Sequence, residues 1–217
     1  MDITWLGHSC FRLRGREVTI VTDPYSRGAG YPPLRVTGDI VSVSHPHPHH
    51  DSVDAVSGAL ARPRRVDGPG EYEIGGAMIT GVATFRDKQK GKLHGKNTAF
   101  LFELDEFSVC HLGDLGHTLD PEQIDALKDA DILLIPIGGH CTIDAVEAVE
   151  VVSQLEPKLV IPMHYSTPGL QLDSAERFCR ELAAPDSVPT ARLTLTRSSL
   201  PEETQVALLS PPEPRRT

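Results

Sequence analysis

No two of the four cysteines, Cys10, Cys110, Cys141 and Cys179, form a CxxC pair. An even cysteine count in a chain of this length, with no secretory leader, does not read as a disulfide framework. Residues 1–20 lack a basic start followed by an apolar core, because Asp2, Arg12, Arg14, Arg16 and Glu17 interrupt them. No apolar run approaches the roughly 18–20 residues that would span a membrane. These absences lead to the expectation of a cytoplasmic protein without a membrane partner. Basic charge is also short: 21 Lys and Arg stand against 30 Asp and Glu, a net charge of −9 with a pI near 5.5. Lys and Arg cluster only at 62–65 and 86–96, which argues against a nucleic-acid partner. Aromatic residues make up only 5% of the chain.

Hydrophobic residues account for 39% and charged residues for 24% of the 217, an ordinary globular composition. A chain this long buries enough surface to fold without disulfide or metal. A metal in it is therefore expected to be functional rather than structural. Gly and Pro, 18 each, imply many turns and short elements. Short β-type runs are expected at 2–6, 10–13, 18–22 and 40–44, with a Gly- and Pro-rich loop at 25–38 and a short helix at 52–60. A second β region follows at 77–82, 97–104 and 107–112. The segment GPGEYEIGG (68–76) reads as a turn-rich connector and lacks the Lys-Ser/Thr ending of a P-loop. Helix and strand then alternate: a helix at 121–128 capped by Asp120, a strand at 131–137, and a helix at 143–155 with Ile143, Val146, Val149, Val152 and Leu155 on one side. A strand at 159–162, a helix at 174–182 and weaker strands at 192–196 and 205–209 complete it. Strands first and βα alternation afterwards fit an α/β fold, sheets covered by helices. No linker or repeat divides the chain, so one domain is expected over 1–210, with a disordered tail at 211–217.

The segment SHPHPHHD (44–51) places His45, His47, His49 and His50 beside one carboxylate, Asp51. His45 and His47 lie two apart at a strand end, so their side chains share a side. Imidazole suits Zn, Fe or Ni, and Pro46 and Pro48 stiffen the loop. Two further segments end strands: HLGDLGH (111–117), with Asp114 between glycines, and PMHY (162–165), with His164. Metal-ligand residues at several strand ends of an α/β sheet are the usual layout of an active site.

These stretches, with WLGHSCFRL (5–13), TDP (22–24), GPGEYEIGG, GKNTAFLFE (95–103) and DILLIPIGG (131–139), resemble the metallo-β-lactamase superfamily. They resemble in particular its small bacterial metal-dependent hydrolases, which are similar to ascorbate-6-phosphate lactonase. The matches cover most of 1–170 in the family's order. The resemblance implies a four-layer αββα sandwich with the metal site along one edge. It implies metal ligands at His45, His47, His49, His50, Asp114 and His164, with Asp114 bridging two ions.

Two positions depart from the family pattern. His49 stands where the motif has Asp, and Arg86 where a middle loop has His. A guanidinium stays charged and cannot ligate a cation, so Arg86 is expected to act as an anion or oxyanion partner. His94 and His117 are candidate substitutes for the lost ligand, although either also reads as an ordinary surface or supporting histidine. His8 is expected to orient a ligand by hydrogen bond. A second register, HxHxD over 47–51, stays open. Cys110 and Cys141 each sit beside a histidine and are weaker candidates for a nucleophile. The implied chemistry is metal-assisted hydrolysis with Asp114 and Arg86 as catalytic residues. It calls for one or two divalent ions (zinc first, then Mn, Fe or Ni) and a small anionic ester, lactone or phosphoester; a homo-oligomer is compatible with it. Two other readings stand beside it: a degenerate member that binds ligand or metal without catalysis, and a nuclease, which the acidic balance disfavours.

Overall fold

The computed structural model describes residues 1–59 and 61–211; the expected tail lies outside the described residues from 212 onward. The strands are β1 (Asp2–Gly7), β2 (Cys10–Arg14), β3 (Thr19–Thr22), β4 (Val36–Thr37), β5 (Ile40–Ser42), β6 (Val56–Ser57), β7 (Arg64–Val66), β8 (Gly70–Ile74), β9 (Ala77–Phe85), β10 (Lys96–Leu104), β11 (Phe107–His111), β12 (Ile132–Pro136), β13 (Leu159–Met163), β14 (Leu193–Thr194) and β15 (Gln205–Val206). The α-helices are α1 (Pro121–Leu127), α2 (Ala145–Leu155) and α3 (Ala175–Glu181).

Two mixed sheets form an α/β sandwich. The first has strand order β14-β1-β2-β3-β5-β7 and the second β15-β13-β12-β11-β10-β9-β8. Period-two alternation decides where the residues of the first sheet go. Phe11, Leu13, Ile20 and Ile40 enter the core shared with the second sheet, whereas Cys10, Val21 and Val41 enter a smaller cluster on the opposite face. Tyr25, Ala29, Val36 and Val56 close that cluster from the loop after β3 and from the paired β4 and β6. In the second sheet, β12 and β13 are buried at every residue, as parallel strands covered on both faces are. Helices cover that sheet: Val151, Val152 and Leu155 of α2 and Phe178 of α3 belong to the main core. The expected Asp120 cap forms, its side chain accepting from Gln123 N while Gln123 reciprocates, a capping box. No described helix is long and apolar enough to cross a membrane.

Three expectations need correction. Residues 52–60 were expected as a helix, but Val53–Ala55 forms one 3₁₀ turn and Val56 enters β6, paired with Val36. β-Branched Val56 fits an extended pairing that only the distant partner reveals. GPGEYEIGG contains β8, an edge strand hydrogen-bonded to β9 through a tight turn at Gly75–Gly76. Its flanking glycines masked a short alternation in which Tyr72 and Ile74 are half-buried between exposed glutamates. In α2 the buried face is Ala145, Ala148, Val151, Val152 and Leu155, and Val146 is exposed. A strict spacing of three drifts about 60° per step around a helix of 3.6 residues per turn, so the expected set could not share one face.

Asp131 ties three strands of the second sheet together. Its backbone N–H donates to Ser108 O, its backbone carbonyl accepts from Lys158 and Leu159, and its carboxylate accepts from Ser108 N, Lys158 Nζ and Arg197 Nη1. Burial raises its pKa, but these donors outweigh burial and hold it below the ordinary value. A carboxyl lowered in the folded state stabilises above its unfolded pKa of about 3.9, and that contribution is lost as pH falls through the folded value. Asp131→Asn should therefore be less stable than the wild type at pH 7 by urea melting, and the gap should narrow at about pH 3. An equal gap at both pH values would contradict this account.

Candidate metal centre

The ends of five strands, β3, β5, β9, β11 and β13, and the turn between β1 and β2 converge on Asp114. Its Oδ2 lies 3.4 Å from His50 Nε2, 3.7 Å from His45 Nε2 and 3.1 Å from Arg86 Nη2, while Oδ1 lies 3.6 Å from His164 Nε2. His8 joins from the β1–β2 turn, its ring centroid 4.4 Å from that of His164 and 4.8 Å from that of His50. Asp114, His8, His45, His50 and His164 are all buried.

Backbone conformation aims these groups. His8, Asp23 and His164 adopt positive φ of 54°, 39° and 51°, a region uncommon for non-glycine residues that Asp and His enter more readily than most. Gly113 has φ of 57°, and a Cβ there would meet Asn97 Oδ1 and Ser44 Cβ, each at 2.5 Å. Asp114 can therefore follow only a glycine at this bend. Asn97 locks the bend: its Oδ1 accepts from Asp114 N, and its Nδ2 donates to Leu112 O and Thr84 Oγ1.

A buried relay sets two tautomers. Asp23 Oδ2 accepts from Ser44 Oγ at 2.6 Å and from His50 Nδ1 at 2.8 Å, and Ser44 Oγ lies 3.0 Å from His45 Nδ1. With its own proton committed to Asp23, Ser44 Oγ accepts from His45 Nδ1–H. With an ion bound, both imidazoles would present it an Nε2 lone pair, the arrangement by which carboxylates orient metal-ligating histidines. Burial, with the His50 charge behind it, pushes His45 down to about 3, so it is neutral at pH 7. Burial alone would raise the Asp114 pKa, but the imidazoles, His50 first, hold it well below the usual carboxylate range. For His50 burial works downward, yet Asp114 and Asp23 raise its pKa, and carboxylates that favour a proton there favour a cation beside it.

The donor set fits a divalent cation. His45 Nε2, Asp114 Oδ1, His164 Nδ1 and His8 Nδ1 are buried without a hydrogen-bond partner. Such atoms carry a desolvation penalty that a bound ion would remove. Among the described residues, three overlapping groups bring their ligand atoms within 4.8 Å of one another: His45, His47 and His50; His8, His50 and His164; and Asp114, Cys141 and His164.

Of the expected ligands, His45, His47, His50, Asp114 and His164 come together. His47 is half-buried, and its Nδ1 accepts from His49 N, a contact it must give up to ligate through Nε2. His49 stays outside these groups, half-buried beside His47 and His8, while His8 lies with His50 and His164. Positive φ in the β1–β2 turn aims His8 inward, and where His8 was expected to orient a ligand by hydrogen bond, its Nδ1 has no such partner and it lies among the candidate ligands. Asp51 also lies outside the groups, which favours the register starting at His45. The two candidate substitutes are committed elsewhere. His117 Nε2 accepts from Phe85 N and its Nδ1 faces Thr118 O, and His94 is exposed. Arg86, expected as an anion or oxyanion partner, donates from Nη2 to Asp114 Oδ2. Asp23, Ser44 and Asn97 carry no assigned role in the sequence, although each lies in a matching stretch: TDP, SHPHPHH and GKNTAFLFE. Asp23→Asn should weaken zinc affinity by about 10–100-fold in chelator competition, without removing a ligand. Unchanged affinity would remove the relay from the metal site.

The model of the β-lactamase superfamily domain matches residues 2–164. A metal-dependent hydrolase of Thermoplasma acidophilum is 32% identical over 202 residues, covering 82% of this chain and 89% of the relative. A metal-dependent hydrolase of Methanopyrus kandleri is 32% identical over 211 residues, covering 84% and 91%. A crystal structure of a metallo-β-lactamase superfamily protein from Thermotoga maritima superposes with a TM-score of 0.77 at 40% identity, covering 96% of this chain and 97% of the other. Fold, convergent strand ends and these likenesses agree, and the chain belongs to the metallo-β-lactamase superfamily, among relatives named metal-dependent hydrolases.

Proposed function

We propose that this protein hydrolyses a small anionic ester, lactone or phosphoester with the help of a divalent ion, zinc being the first choice. The observation that carries the reading is the buried, ionised Asp114, whose Oδ1 has no partner and faces His164. Neutral imidazoles and a carboxylate form a donor set suited to zinc. When bound there, the ion supplies Lewis acidity that brings the pKa of water from 15.7 to about 7.

The remaining work falls to the chain's own side chains. Asp114 Oδ1 accepts a hydrogen bond from the attacking water and orients it, since the neighbouring imidazoles keep this carboxylate ionised. Asp23 and Ser44 hold His50 and His45 in the ligating tautomers. Arg86 bonds Asp114 Oδ2 and also lines an adjoining cavity of about 400 Å³ together with Lys88, Cys141 and Thr142. Its guanidinium would stabilise the negative charge that develops on oxygen as water adds to the carbonyl or phosphorus centre. The same charge favours an anionic substrate.

The direct Arg86–Asp114 pair is also the feature that favours a non-catalytic, ligand-binding reading. A panel of lactones, carboxylic esters and phosphodiesters, assayed on zinc-loaded and chelator-stripped protein, separates the two. Hydrolysis lost on stripping, restored by zinc, and lowered about 10²–10⁴-fold in Asp114→Ala is the expected result. Activity that survives either stripping or Asp114→Ala would overturn the hydrolytic mechanism.

A further inference from the structure

The loop between β12 and α2 brings a thiol to the site. We infer that Cys141 is a metal ligand, holding one ion together with Asp114 and His164 beside the Arg86–Asp114 pair. The inference rests on the metal-dependent reading above and names a residue that reading did not use.

The loop is clamped between the two segments that carry the other ligands. Ile143 N donates to Leu115 O, next to Asp114, and Asp173 N donates to Gly138 O. Gly138 packs so closely on His164 O that a Cβ could not be accommodated. Within the loop, Thr142 N and Thr142 Oγ1 both donate to Gly139 O, and Gly139 N donates to Ile143 O. Gly139 and His140 take positive φ of 70° and 58°, a bend that sends His140 outward and leaves Cys141 half-buried on the inner side. One ligand atom from each of Cys141, Asp114 and His164 lies within 4.8 Å of the others. Atoms this close can share one ion, whose bonds run about 2.3 Å to sulfur and about 2.0–2.2 Å to nitrogen and oxygen. Asp114 Oδ1 is buried without a hydrogen-bond partner and lies 3.6 Å from His164 Nε2.

Chemistry and charge agree with the geometry. Arg86 removes a neutral ligand and adds a positive charge beside Asp114. A thiolate held by an ion would restore a donor and add the negative charge that offsets the guanidinium, which bonds Asp114 and lines the same cavity as Cys141. On binding, the thiol proton passes to solvent, as ligation by cysteine requires deprotonation. Among the described residues, His94 and His140 line the same cavity but are exposed, and His117 Nε2 is taken by Phe85 N. Cys10, Cys110 and Cys179 are buried and join no such group. Thiolate ligation favours zinc over the harder ions Mn and Mg.

The test is X-ray absorption at the zinc edge on zinc-loaded wild type and Cys141→Ser, with zinc per chain measured on both. The expected result is a sulfur shell at about 2.3 Å in the wild type that disappears in Cys141→Ser, with zinc content or affinity reduced. Bound zinc with only nitrogen and oxygen neighbours in the wild type would overturn the inference while leaving the metal-dependent reading intact. A sulfur shell that persists in Cys141→Ser would overturn it as well, by pointing to another cysteine. Wild type that takes up no zinc would overturn both. The wild-type spectrum decides the matter even if the variant folds poorly.

Discussion

A carboxylate with 1% of its surface exposed is the feature around which the rest of this molecule is arranged. Taking Asp114 out of water carries a large desolvation penalty, and the neighbours must return it through charge and hydrogen bonds. They do so unevenly. Oδ2 receives Arg86 and faces His45 and His50, while Oδ1 is left without a donor. A fully satisfied ion pair would make a stable but inert core. A half-satisfied one, ringed by imidazole nitrogens without partners, is a place where a cation is favoured.

Several local sacrifices hold that arrangement. Non-glycine residues at positive φ cost about 1–3 kcal/mol each, and His8, Asp23 and His164 all lie in or beside the site. The strain is tolerated because each is over-determined by its surroundings. His164 N donates to His8 O, which also accepts from Trp5 Nε1, so the two strained histidines brace one another across the sandwich. Asp23 is fixed by Ser44 and His50. Because His8, Asp23 and His45 come from the first sheet, and Asp114 and His164 from the second, the core between the sheets sets the ligand spacing.

The strand ends were legible in the sequence because they coincide with abrupt changes of composition: IVSVS into SHPHPHH, an apolar run into HLGDLGH, IPM into His164. The cap at Asp120 was legible for the same local reason. Other features were not. His49 is one of four histidines in six residues, yet the chain's path through Pro48 leaves it half-buried outside the ligand groups. Val56 and β8 pair with strands distant in sequence or sit at an edge, where glycine and short length conceal the alternation. In α2 the burial pattern depended on which side met the sheet.

The sequence by itself determined the ligand types, their order and their attachment to strand ends, because periodicity and residue chemistry are local properties. It also carried the family resemblance, since the motifs lie in contiguous stretches. Which histidines share a centre, that Asp23 and Ser44 govern tautomers, that Arg86 bonds Asp114, and that Cys141 reaches the same carboxylate were decided only by the tertiary structure. These are relations between segments tens of residues apart, set by backbone bends and by the packing of two sheets, and no local pattern in the chain encodes a distance across that core.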